Sequence, residues 1–171
     1  MKNKVYFFSG SRADYSLMES IFFLFQNNKT FEKKLIITGT NLSKKYSDNE
    51  NFNISQKDIH KIYVKLGNSQ EKNFSKIMSR YFNQFYRLLE KNKPNCIILL
   101  GDRYEALIFG ICAKLLNIKI LHFHGGETTL GSLDNIWRDT ISKLSDYHFT
   151  SLKLYKDKLV SMGINKKKIF N

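Results

Sequence analysis

This 171-residue chain is nearly without proline: Pro94 is the single one. Cysteine is scarce too. The two present, Cys96 and Cys112, lie in apolar segments without C-x-x-C spacing. That excludes a disulfide framework and reads both as reduced core thiols. No apolar run approaches the about 18 residues that a membrane span needs. The densest, in IFFLFQ, sits inside a helical pattern. The N-terminus lacks the order of a secretory signal, so the expected compartment is the cytoplasm. Acidic residues number 15 against 28 lysines and arginines, a formal charge of +13. Five of the basic residues are arginine (Arg12, Arg80, Arg87, Arg103, Arg138), and the lysines are scattered. Scattered lysine argues against nucleic-acid binding, which needs a basic face. It is compatible with attraction of an anionic substrate.

What is present is a globular composition, 42% hydrophobic, enough to build one domain over residues 1–171. KVYFFSG (4–10) reads as a buried strand entering a glycine turn. RADYSLMESIFFLFQN follows as a helix with Leu17, Ile21, Phe22 and Leu24 or Phe25 on its apolar side. KKLIITGT (33–40) is a second strand, residues 41–58 a loop or short helix, and KIYVKL (61–66) a third, alternating strand. Residues 69–91 form a long amphipathic helix carrying Phe74, Ile77, Tyr81, Phe85, Leu88 and Leu89, stopped before Pro94. CIILLG (96–101) is continuously apolar, the mark of a central parallel strand. DRYEALIFGICAKLLN is the next helix and IKILHFHGG (118–126) the fifth strand with its exit loop. LDNIWRDTISKLSD (133–146) is a helix, YHFTS a sixth strand and LKLYKDKLVSMG a closing helix. The alternation predicts right-handed βαβ units and a doubly wound parallel sheet of the α/β class.

In such sheets ligands sit beyond the carboxyl ends of the strands. The candidate site therefore gathers there. Gly10, Ser11 and Arg12 open the first helix, where free N–H groups and the dipole favour a phosphate, although Ser11 also suits a simple helix cap. GTN (39–41) repeats that arrangement or is only a turn. Asp102 either caps the following helix or is a carboxylate tuned by partial burial to act as a base. Glu105 reads as an exposed helix residue or as a partner for Arg103. In HFHGGETTLGSLDN (122–135), His122 ends an apolar strand and His124 shares its face by the two-residue period. No third and fourth ligand stand at metal spacing, so no metal is expected. Gly125 and Gly126 let the backbone approach a ligand and deliver Glu127. Asp134 opens the next helix, with Arg138 one turn on.

The motifs GSRADYSLM, GDRYEAL, ILHFHGGE and LDNIWRDTISKLSDYHF, in this order along the whole chain, resemble the hydrolysing UDP-N-acetylglucosamine 2-epimerases of sialic-acid and nonulosonic-acid synthesis. The resemblance implies the N-terminal Rossmann-like half of a GT-B fold, with the nucleotide-binding second domain of the family absent. It implies a nucleotide-sugar substrate, no cofactor, and a possible homodimer. In the family reaction C2 of the sugar loses a proton while UDP leaves C1, and water then adds to the 2-acetamidoglucal. By motif, Asp102 is similar to the aspartate of the family's GD turn and Asp134 to the aspartate preceding the next helix. Arg12 resembles the arginine near the diphosphate. Many relatives carry a glutamate where His124 stands; here the nearest acid is Glu127, and which of the two handles the proton is open. The expected catalytic set is thus Asp102, His124, Glu127 and Asp134. Gly10, Ser11, Arg12, Arg103, His122, Gly125, Gly126 and Arg138 are expected to bind substrate. A half-cleft alone is expected to be inactive. The other readings are a non-catalytic module for a phosphorylated ligand and a basic nucleic-acid binder.

Overall fold

Seven strands, all parallel, lie in the order β3-β2-β1-β4-β5-β6-β7 in the computed structural model, which describes residues 2–25, 27–42, 52–64 and 74–171. The strands are β1 (Asn3–Ser9), β2 (Phe31–Ile37), β3 (Ile59–Lys61), β4 (Cys96–Leu100), β5 (Lys119–Phe123), β6 (Tyr147–Phe149) and β7 (Ile169–Phe170). Five helices connect them: α1 (Arg12–Leu24), α2 (Phe74–Asn92), α3 (Tyr104–Leu115), α4 (Asp134–Leu144) and α5 (Lys153–Ser161). The strand order reverses between β1 and β4, so the crevice outside their carboxyl ends is the topological switch point.

Period-2 alternation sorts the strand residues between two cores. On one face Val5, Phe7, Leu35, Ile37, Ile98 and Leu100 meet Met18 and Phe22 of α1. On the other, Tyr6, Phe8, Ile36, Ile97, Leu99 and Ile120 meet α2, α3 and Ile141 of α4. Phe8 stacks on Phe109 at 4.8 Å between ring centres and takes the edge of Phe85 at 5.5 Å. Truncating Phe85 to alanine would cost about 3–5 kcal/mol.

The fold matches the expected class, with local differences. The third strand lies at Ile59–Lys61 and not at 61–66. Beyond it Ile62 still donates to the Ile37 carbonyl (2.9 Å), but its own carbonyl goes to Thr38 Oγ1 (2.7 Å), because β2 has turned away. Residues 65 and 66, 69–73 and much of the 41–58 stretch lie outside the described residues. The described ends of that stretch are 3-10 turns at Gly39–Leu42 and Gln56–Asp58. On α1 the buried row runs through Met18 and Phe22, leaving Leu17 and Leu24 exposed. On α4 Ile141 is buried while Leu133, just before it, and Ile136 are exposed. The two-residue β7 is too short to leave a periodic signal.

Candidate functional site

Backbone turns at the ends of β1 and β4 bring the first group of side chains together. Ser11 caps α1, its Oγ accepting from the Asp14 N–H at 3.2 Å. Ser9 Oγ donates to the Ser11 carbonyl, and Asn41 Nδ2 reaches both Ser9 oxygens at 3.1 and 3.0 Å. The GTN turn thus braces the phosphate-type loop from behind. Arg12 is exposed on the first turn of α1. Gly10 lies under the stem of Arg103, whose Cδ and Nε stand 3.4 Å from where a Cβ would be.

Arg103 is held by a two-pronged pair: Nε to Glu105 Oε2 at 3.1 Å and Nη2 to Oε1 at 3.0 Å. Glu105 is 1% exposed, so the reading of it as an exposed helix residue is corrected; burial here follows from the pairing that Arg103 supplies. Asp14 stands beside this pair. Burial, opposed by the Ser11 hydrogen bond and the Arg103 charge, raises its carboxyl pKa. Its place in the first turn of a strand-following helix puts it on the polar rim at the strand ends.

Asp102 follows β4 and pairs with Nη2 of Arg138 on α4. Burial raises its carboxyl pKa, the charge of Asp134 adds to that, and Arg138 works against it. Arg138 is 6% exposed, and its Nε and Nη1 find no partner among the described residues. Asp134 itself is exposed, takes a hydrogen bond from Ser132 Oγ at 3.0 Å, and sits in the first turn of α4. Arg138 therefore serves Asp102 across the crevice and not Asp134 along its own helix.

His122 lies behind this group. It is 0% exposed, its Nε2 is 2.8 Å from the Gly101 carbonyl and its Nδ1 3.1 Å from Ser142 Oγ. A carbonyl only accepts, so Nε2 carries the proton and the Ser142 hydroxyl donates to Nδ1. Burial pushes the pKa down to about 3, leaving a neutral ring. The expectation that His122 contacts substrate is corrected: it fixes the turn that presents Asp102. Ser142 belongs to the same support, unseen in the sequence because it lies 20 residues away.

A second group occupies the exit of the neighbouring strand. His124 has φ 61°, left-handed and rare for a residue with a side chain. That reversal breaks the two-residue period, so His124 does not share the face of His122. Its Nδ1 is 2.6 Å from Glu127 Oε1, and Ser151 Oγ donates to the same oxygen at 2.9 Å. The carboxylate orients the imidazole and leaves Nε2 for chemistry. His124 and Ser151 line a hollow of about 250 Å³ with Phe123, Phe149, Phe170 and Asn171.

The two glycines between these groups pack inward. A Cβ on Gly125 would lie 2.9 Å from Ser142 Oγ and 3.0 Å from His122 Nδ1. One on Gly126 (φ 81°) would lie 2.4 Å from the Tyr155 carbonyl oxygen. The expected ligand approach is thus replaced by close packing of the chain on itself. Of the expected acids, Asp102 and Asp134 share one group with Asp14, while Glu127 belongs to the other, one strand away. Among the described residues no group of three His, Cys, Asp or Glu could hold a metal ion. None of their helices is long and apolar enough to cross a membrane.

The family described as UDP-N-acetylglucosamine 2-epimerase matches residues 24–171. The GDP/UDP-N,N'-diacetylbacillosamine 2-epimerase (hydrolyzing) of Campylobacter jejuni is 34% identical over 177 residues, covering 99% of this chain and 44% of the relative. The UDP-N,N'-diacetylbacillosamine 2-epimerase (hydrolyzing) of Legionella pneumophila is 34% identical over 172 residues, covering 99% and 45%. A solved UDP-N-acetylglucosamine 2-epimerase from Rickettsia bellii shares the fold with a TM-score of 0.80 at 22% identity, covering 99% of this chain and 44% of that one. The chain spans less than half the length of the relatives it matches. Identity of 34% across nearly all its residues, with the family match, establishes that the chain belongs to the UDP-N-acetylglucosamine 2-epimerase family.

Proposed function

We propose that this chain forms one wall of the cleft of a hydrolysing sugar-nucleotide 2-epimerase whose substrate is a UDP-linked 2,4-diacetamido sugar. The observation that carries the reading is Asp102: a half-buried carboxylate at the switch point, braced by Arg138 and by the clamped Gly101 turn. As a base it takes the C2 proton; its raised pKa brings proton affinity closer to the working pH. Asp134 and Asp14 keep the pocket negative around the reacting carbon, and Arg138 limits the resulting repulsion. The hydrogen-bonded His124–Glu127 pair handles the proton in the addition of water at C1. The N-terminus of α1, with Ser11 and Arg12, faces the diphosphate.

The sugar is assigned from the two relatives at 34% identity, both named for N,N'-diacetylbacillosamine. The family resemblance implies a second wall to the cleft, so the 171 residues alone are expected to release no UDP. The protein works in the cytoplasm, where Cys96 and Cys112, both free, stay reduced.

Turnover by the protein that contains this chain tests the reading. UDP-N,N'-diacetylbacillosamine and UDP-N-acetylglucosamine are offered side by side and UDP release is followed. Higher kcat/KM for the diacetamido sugar supports it. Binding of both with no UDP release would instead indicate a non-catalytic module.

A further inference from the structure

We infer that a hollow beneath the last turns of α2, away from the candidate site, binds a small phosphate monoester carried on an apolar ring. The hollow holds about 250 Å³ and is lined by Tyr6, Lys34, Ile36, His60, Leu88, Lys91 and Asn92. Parallel register puts its strand residues on one face: Tyr6 of β1 stands opposite Lys34 of β2, and Ile36 of β2 opposite His60 of β3. That is the face on which Tyr81, Phe85 and Leu89 of α2 are buried. Helix α2 returns antiparallel to the strands, so its end lies toward their amino ends, where Lys4 Nζ reaches the Asn92 carbonyl at 3.4 Å. The candidate site occupies the carboxyl ends of β1, β4 and β5. The two places are separate, and the inference does not depend on the functional reading.

Two observations point to a ligand. Strand β2 is an inner strand, between β3 and β1, and its helix-covered face would ordinarily carry an apolar residue at position 34. Lys34 stands there instead, half-buried, with one N–H given to the Lys57 carbonyl at 2.8 Å and two left over. Tyr6 is 3% exposed, and its hydroxyl has no hydrogen-bond partner among the described residues. A buried hydroxyl left unpaired is costly, and an acceptor in the hollow would satisfy it. Lys91 brings a second ammonium, also without a partner among the described residues. Burial and the Lys34 charge push the His60 pKa down, so its ring enters neutral, as a donor or an acceptor. Among the described residues no carboxylate lines the hollow. Glu32, whose charge reaches Tyr6, is exposed two residues before Lys34. Helix carbonyls that would repel an anion are already covered: Asn92 Nδ2 takes the Leu88 carbonyl at 2.7 Å, and the Lys93 N–H takes that of Leu89 at 2.8 Å. Two ammonium groups match the charge of a phosphate monoester, which lysine binds as a point charge. Ile36 and Leu88 offer its carrier apolar contact only. The volume falls short of the about 300–1,000 Å³ of full-sized ligand sites, which limits that carrier to a single ring.

Phenyl phosphate serves as the probe, followed through the amide chemical shifts of the chain at physiological salt. Saturable shifts at Ile36, His60 and Asn92 are expected, with a dissociation constant of about 1 mM or tighter. Occupation of the α1 N-terminus is read separately, at Ser11 and Arg12. Lys34→Met and Lys91→Met each remove one charge and should weaken binding about tenfold or more. Tyr6→Phe removes only the hydroxyl, keeps the ring that fills the core, and should weaken binding about threefold to tenfold. Should Lys34→Met fail to fold, Lys91→Met, on the exposed side of α2, carries the same test. No saturable shift at the hollow up to about 10 mM would overturn the proposal. So would an affinity indifferent to Lys91→Met and Tyr6→Phe, or phenol, the same ring without the charge, binding as tightly.

Discussion

His122 and His124 stand one residue apart and live in different solvents. His122 is sealed in the interior, neutral, with both nitrogens engaged. His124 lies at the rim, its side chain 35% exposed and paired with Glu127. Beside His122 across the sheet, His148 is also 0% exposed but has no partner for either nitrogen among the described residues. Burial pushes its pKa down to about 4. One residue type thus supports the turn below Asp102, fills the core, and supplies rim chemistry. What separates the roles is depth below the strand ends and the single left-handed φ at position 124.

The largest effect is expected at the group the interior histidine supports. Asp102→Asn in the protein containing this chain should lower kcat by about 10²–10⁴-fold, with the melting transition of the fold nearly unchanged. Normal turnover in that variant would remove the reason for the buried clamp. Next comes the clamp itself. His122→Ala leaves the Gly101 carbonyl and Ser142 unpaired in a cavity, and urea denaturation of the chain should register a loss of about 3–4 kcal/mol.

Acid separates interior from rim somewhat more gently. His122 and His148 have folded pKa values of about 3 and 4, below the ordinary 6.5. Between these limits the unfolded chain binds more protons, so stability is full above about pH 6.5 and is lost as pH falls. From pH 7 to 5.5 the two together cost roughly 2–3 kcal/mol. The raised carboxyls of Asp14 and Asp102 have the opposite sign, favouring the folded state on acidification, so they do not cause the loss. His148→Leu should halve the slope of stability against pH; an unchanged slope would mean that His148 charges within the fold. The smallest effect is at the rim. His124→Gly relieves the left-handed backbone and should raise stability by up to about 1 kcal/mol while impairing turnover.

The class, the alternation of strands and helices, and most of the rim residues were legible because each depends on short-range pattern. CIILL, with no polar interruption, reads as a central strand and is one. The third strand lies earlier than its sequence pattern predicts because its limits depend on where β2 turns away, through the Thr38–Ile62 bond across 24 residues. Glu105 and Arg138 look like surface charges in sequence. Their burial depends on partners brought by folding, Arg103 for one and Asp102 for the other.

By itself the sequence determined the doubly wound sheet and the rim on which acids and histidines gather, since hydrophobic periodicity decides which residues face the core. Only the tertiary structure decided the division of labour among them. Burial, and with it pKa, depends on neighbours that are distant along the chain. The hand of the backbone at His124 depends on the bond its N–H makes to Phe149, on the strand beside it.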